Sequence, residues 1–204
     1  MCFRSCAQQE EVIYGRVRSG DVVLDCGAHV GVFTRRALAS GAALVVAIEP
    51  APDNVECLRR NFEPEVRAGR VIVYPKGVWD KDDFLVLHTV EGNSAGDSFV
   101  FQLGAGSDVR VPLTTIDKLV DELHVPRVDF IKMDIKGSEK QALKGGAHTI
   151  QTFRPRLAIA SEHNPQDPEQ ILAFIQSVRP DYRSRCGSCF LTGGQLRPEI
   201  MLFE

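Results

Sequence analysis

Val22-Val23-Leu24-Asp25-Cys26-Gly27-Ala28-His29-Val30-Gly31 is the stretch that decides the fold. An apolar run ends in an acid, a glycine turn follows, and an amphipathic stretch starts at Val32. Further on, Val45-Val46-Ala47-Ile48 runs into Glu49-Pro50. A buried strand, a glycine turn, a helix and a second strand closed by an acid make up half of a nucleotide-binding α/β fold. The glycine spacing narrows the reading. Gly27 and Gly31 stand four apart, as D-x-G-x-x-x-G, whereas the dinucleotide fingerprint is G-x-G-x-x-G.

The four-residue spacing is the form associated with S-adenosylmethionine (SAM), so the expected cofactor is SAM and the expected chemistry methyl transfer. Gly27 is expected to take a backbone angle closed to other residues, and Gly31 to let helix and strand come close. The first amides of the helix then face the carboxylate of the methionine moiety. Asp25 is placed to reach the amino group. Glu49 is placed to accept both ribose hydroxyls, although a nicotinamide enzyme wants an acid at the same point. Ala28, His29 and Val30 in the loop, Pro50 after the second strand, and Gly77 and Val78 after the third complete the expected cofactor site. For His29 the backbone is expected to matter more than the ring. Trp79 is read as core rather than as a shield over the adenine edge.

The chain has 204 residues, 44% of them hydrophobic and 25% charged, which is enough to bury a full core. The formal charge of −3 gives no sign of a nucleic-acid partner. The first ten residues lack the apolar core of a signal peptide, and no stretch approaches the length of a membrane span. The expectation is a soluble cytoplasmic protein with no membrane partner. Six cysteines in such a chain do not suggest a disulfide framework. Cys186-Gly187-Ser188-Cys189 is read as a turn or strand with two reduced thiols.

Strands and helices alternate. Strands are expected at 22–25, 44–48, 71–74, 109–113, 128–134 and 157–160. Helices are expected at 32–39, from Pro52, after Thr115 and Ser138 as caps, and from Asp167-Pro168. Gly145-Gly146 is expected to end the helix opened by Ser138. Residues 84–90 and 99–101 read as an inserted antiparallel hairpin around a loop at 92–98, which carries Asn93, Ser94 and Ser98. Residues 182–190 and 200–203 read as a closing hairpin. This pattern predicts a doubly wound, mainly parallel seven-stranded sheet with helices on both faces. Residues 1–204 are expected to form one domain, with 1–20 as a lead-in.

Four segments taken together resemble one family. They are Val22 to Gly31, Ala47-Ile48-Glu49-Pro50, Val111-Pro112-Leu113-Thr114-Thr115-Ile116-Asp117, and Val128-Asp129-Phe130-Ile131-Lys132-Met133-Asp134-Ile135-Lys136-Gly137-Ser138-Glu139. The chain resembles the FkbM family of SAM-dependent methyltransferases from about Asp21 to about His163. The resemblance implies a class I methyltransferase fold, SAM as cofactor, and O-methylation of a hydroxyl on a small molecule or sugar. The chain departs from the family at Lys136, where an acid is usual.

Methyl transfer is an in-line displacement, and a hydroxyl acceptor must also lose its proton. Bases are therefore expected after the fourth and fifth parallel strands. Lys132 and Asp134 alternate on one strand near its carboxyl end and are expected to pair with one another or with Glu139. Asp134 is the expected acceptor contact or base, and it is counted in the cofactor site as well. Lys132 is expected to tune it, and His163 is a second candidate base. Asp134, Glu162 and Asn164 are oxygen donors that would have to converge to hold a metal, and none is assigned. Two other readings remain: an NAD(P)-dependent oxidoreductase and a non-catalytic SAM-binding module.

Overall fold

The structure is a computed structural model that describes residues 17–88, 98, 108–192 and 194–204. Its centre is a seven-stranded sheet of order β3-β2-β1-β7-β8-β10-β9. The parallel strands are β1 (Val22–Cys26), β2 (Leu44–Ile48), β3 (Val71–Tyr74), β7 (Phe130–Met133) and β8 (Arg156–Ala160). β9 (Ser184–Thr192) and β10 (Gln195–Phe203) form the closing hairpin, with β10 antiparallel to β8. The chain order reverses between β1 and β7, so a crevice opens at their carboxyl ends.

Seven helices are described: α1 (Val32–Ala39), α2 (Pro52–Asn61), α3 (Glu63–Arg67), α4 (Ile116–Glu122), α5 (Glu139–Lys144), α6 (Ala147–Phe153) and α7 (Asp167–Val178). β1 is buried along its whole length. Leu24 and Cys26 pack with Ile131, Met133 and Ile159 on one face. Val23 packs with Phe33, Val45 and Phe130 on the other. This two-sided burial is why β1 reads as a continuous apolar run broken only by Asp25.

The expected insertion is a separate sheet. β4 (Gly77–Val78) runs parallel to β6 (Asp108–Thr114), and β5 (Asp83–His88) runs antiparallel to it. Ser98 bridges to His88, while Asn93, Ser94 and the strand expected at 99–101 lie outside the described residues. The lead-in is described only from Val17.

Several local expectations need correction. α3 and α6 are additional helices. Gly145-Gly146 ends α5 as expected, but the chain resumes as α6 because Asp117 accepts hydrogen bonds from the amides of His148 (3.1 Å) and Thr149 (2.7 Å). β7 stops at Met133, one residue short of Asp134. Thr115 caps α4 through Lys118 N–H, whereas Ser138 precedes α5 without a side-chain cap bond. Asp167 lies inside α7, and its carboxylate turns back to Asn164 N–H at 2.8 Å. Cys186 and Cys189 are joined as a disulfide in β9, not held as two thiols.

Candidate active site

Both glycines of the loop after β1 adopt left-handed angles, Gly27 at φ 79° and Gly31 at φ 94°. A Cβ on Gly27 would lie 2.1 Å from the carbonyl oxygen of Asp134. A Cβ on Gly31 would lie 2.1 Å from the Phe62 ring. Gly27 therefore lets the loops after β1 and β7 touch. Gly31 makes room for Phe62, after α2, rather than for a strand. His29 is also left-handed, at φ 52°.

The amides of Gly27 and Ala28 both donate to Ile48 O at 3.0 Å, which fixes the loop to the end of β2. His29 N–H donates to Glu49 Oε2 at 2.8 Å. The His29 backbone thus joins the glycine loop to Glu49. Pro50 has no N–H to offer. Glu49 reaches past it, and its Oε1 accepts from Ala51 N–H at 3.0 Å and from Asn54 Nδ2 at 3.4 Å. Burial raises the Glu49 pKa, against the opposing pull of the Ala51 and His29 amides. Gly31 stands at the N-terminus of α1 and supplies no side-chain cap. Val30 O accepts from Asn61 Nδ2 at 3.0 Å.

Asp25 does not face the crevice. Its side chain is fully buried, Oδ2 accepts from Thr34 Oγ1 at 2.7 Å, and Oδ1 lies 3.1 Å from Lys132 Nζ. Lys132 pairs with Asp25 rather than with Asp134 or Glu139. Its ammonium also donates to Gly27 O at 2.7 Å and Cys26 O at 3.3 Å. Burial opposes its charge, but Asp25 and Asp134 outweigh burial and raise its pKa. Lys132 is thus a buried cation under the glycine loop.

Gly77 and Val78 are held in the β4–β6 ladder. Val78 is buried and packs into the main core. Trp79 donates its backbone N–H to Thr114 O and is half-buried, not a core residue.

After β7, Asp134 N–H donates to Cys26 O at 3.2 Å. Its carboxylate pairs with Lys136, with Nζ 2.9 Å from Oδ1. Burial alone would raise the Asp134 pKa, but Lys132 and Lys136 pull it below the ordinary carboxylate value. Lys136 is left-handed at φ 53°, and its carbonyl accepts from Ser98 Oγ at 2.9 Å. Ser98 is therefore tied to this loop.

Glu139 was not among the expected site residues. It is 1% exposed, and its Oε1 accepts from Ile135 N–H at 2.9 Å. Burial pushes its carboxyl up to about 7. His163 Nδ1 lies 3.5 Å from the same oxygen, and burial lowers the His163 pKa. Asp134, Glu139 and His163 converge here. Of the other oxygen donors considered, Glu162 is exposed and Asn164 is engaged with Asp167. The signal for Glu139 lay in the sequence: an acid opening a helix five residues after Asp134.

The V-P-L-T-T-I-D segment serves the scaffold. Thr114 Oγ1 donates to Asp82 Oδ1 at 3.1 Å, Thr115 caps α4, and Asp117 holds the start of α6. None of these contacts reaches the crevice residues named above.

Among the described residues, no helix is long and apolar enough to cross a membrane. The family model for the methyltransferase FkbM domain matches residues 25–187. The hexuronic acid methyltransferase AglP of Haloferax volcanii is 25% identical over 160 residues, covering 78% of this chain and 63% of that protein. The crystal structure of methyltransferase FkbM from Methylobacillus flagellatus superposes with a TM-score of 0.67 at 25% identity, over 92% of this chain and 44% of that one. SMU.1697c of Streptococcus mutans, solved in complex with SAH, gives a TM-score of 0.54 at 11% identity over 100% and 97% of the two chains. The chain thus spans under two thirds of AglP and under half of the M. flagellatus protein. With a matched segment that runs from the end of β1 into β9, and with the class I methyltransferase fold around it, the chain belongs to the FkbM methyltransferase family.

Proposed function

We propose that this chain is a SAM-dependent methyltransferase that O-methylates a hydroxyl on a small molecule or sugar. The observation that carries the reading is the bond from His29 N–H to Glu49 Oε2, which ties the glycine loop to the acid after β2 beside the switch point. A carboxylate fixed there is pre-oriented for ribose hydroxyls. The N-terminus of α1, with no side-chain cap, suits the methionine carboxylate. Gly27, Ala28, His29, Val30, Gly31, Glu49 and Pro50 form the cofactor cradle. Lys132 and Asp25 hold it from beneath. The proposal treats residues 1–204 as one domain.

When bound, SAM supplies an electrophilic methyl on a sulfonium. The chain's own residues do the rest. Asp134, at the rim between the two touching loops, contacts the acceptor. Holding nucleophile and methyl in line is the main lever, worth up to roughly 7–11 kcal/mol in the best cases. A sugar-acid acceptor fits the resemblance to AglP. Lys136, in place of the family's usual acid, puts a positive charge where an acidic acceptor would approach.

The test is a parallel thermal melt with SAM, S-adenosylhomocysteine and NAD, followed by radiolabelled methyl transfer from SAM to hexuronic acids and neutral hexoses. A ligand at a hundred times its Kd adds about 2.7 kcal/mol. For a domain of this size that moves the melt by at least ~5 °C. Stabilisation by SAM and its product but not NAD, with label on a hydroxyl, is the expected result. Stabilisation by NAD alone overturns the reading. SAM binding with no transfer to any acceptor favours the non-catalytic module.

A further inference from the structure

Asp134, Glu139 and His163 each offer one ligand atom, and these atoms lie within 4.8 Å of one another. Three stretches of the fold deliver them: the residue just after β7, the first residue of α5, and the segment after β8. The cluster therefore depends on the folded sheet edge rather than on a local run of acids. One oxygen of the cluster lacks a hydrogen-bond partner among the described residues. Glu139 is 1% exposed, and its Oε2 is buried with no hydrogen-bond partner among the described residues.

A buried carboxylate is ordinarily paired or bound to a metal. The lysines around Glu139 are engaged elsewhere. Lys132 sits on Asp25, Lys136 on Asp134, and Lys140 on Asp167 and Gln170. Among the described residues, no lysine or arginine pairs with Glu139. One imidazole and two carboxylates form a mixed nitrogen–oxygen set that suits Mn2+ or Zn2+.

We propose that Asp134, Glu139 and His163 hold a divalent cation of the Mn2+ or Zn2+ class at the acceptor edge of the crevice. The role of the ion rests on the methyltransferase reading above. A hydroxyl bound to the cation loses its proton to solvent more readily. The resulting alkoxide attacks the methyl, the O–C bond forms as the S–C bond breaks, and neutral S-adenosylhomocysteine leaves. Lys136 opposes the ion, because its ammonium holds Asp134 Oδ1. Replacing it with an acid should therefore tighten cation binding.

The test is calorimetric titration of the EDTA-stripped full chain with MnCl2 and with ZnCl2, alongside Mn2+ electron paramagnetic resonance. The expected result is one saturable site per chain. Glu139→Gln and His163→Ala should each weaken it by at least about tenfold, or about 1.4 kcal/mol, and Lys136→Glu should strengthen it. The SAM melt shift, read on the same samples, reports folding and the cofactor site independently. Asp134→Asn serves if Glu139→Gln does not fold. No saturable site for either ion, or equal binding by wild type and the ligand variants, overturns the proposal. If SAM still stabilises the protein in that case, the methyltransferase reading survives alone.

Discussion

Lys132 Nζ lies 2.7 Å from the carbonyl oxygen of Gly27, so a buried ammonium on β7 fixes the glycine loop on β1. The same ammonium pairs with Asp25 at 3.1 Å. Removing one partner of a buried pair typically costs about 3–5 kcal/mol, because the other charge is left uncompensated. Lys132→Met should therefore lower stability strongly and abolish SAM binding. The double variant with Asp25→Asn should recover part of the stability. Urea denaturation of wild type, Lys132→Met and the double variant checks this, and equal loss in the single and double variants would contradict it.

Glu49 gives a pH-dependent test. Its folded-state pKa lies above the ordinary 4.5 because it is buried. As pH rises from 4.5 toward that raised value, the folded protein keeps a proton the unfolded chain has lost, so stability falls. Glu49→Gln should flatten this slope relative to wild type. Urea midpoints across the acid range measure the difference. The same variant should weaken SAM binding by roughly tenfold or more, since hydrogen bonds to a charged group are worth about 1.5–3 kcal/mol.

Gly27→Ala is expected to fail twice. The left-handed backbone disfavours any Cβ, and the new methyl would meet Asp134 O at 2.1 Å. The melt should fall by at least ~2–4 °C, the equivalent of about 1 kcal/mol. SAM stabilisation should vanish because both loops must shift.

Asp117→Ala separates scaffold from site. It removes the acceptor for two helix-start amides, which should cost about 0.5–2 kcal/mol. The melt should drop with the SAM shift unchanged. A selective loss of SAM binding would place Asp117 nearer the chemistry than its contacts suggest.

How much of this was readable beforehand depends on the range of the interaction. Val22 to Gly31 announced its strand and turn because local periodicity and glycine chemistry act within a few residues. The mainly parallel pairing followed from alternation. The fate of Lys132 and Asp25 did not, because their pairing joins residues 107 positions apart, and strand spacing alone suggested Asp134 instead. α6 was hidden for the same reason: the acceptor for its first amides, Asp117, lies on another helix. Glu139 was visible as a helix-start acid, but its burial beside His163 is a property of the closed sheet edge.

Ser98 Oγ donates to the main-chain carbonyl of residue 136, not to its side chain. The bond itself does not depend on which side chain residue 136 carries. The charge at this position can therefore be inverted by substitution while the bond from Ser98 is kept.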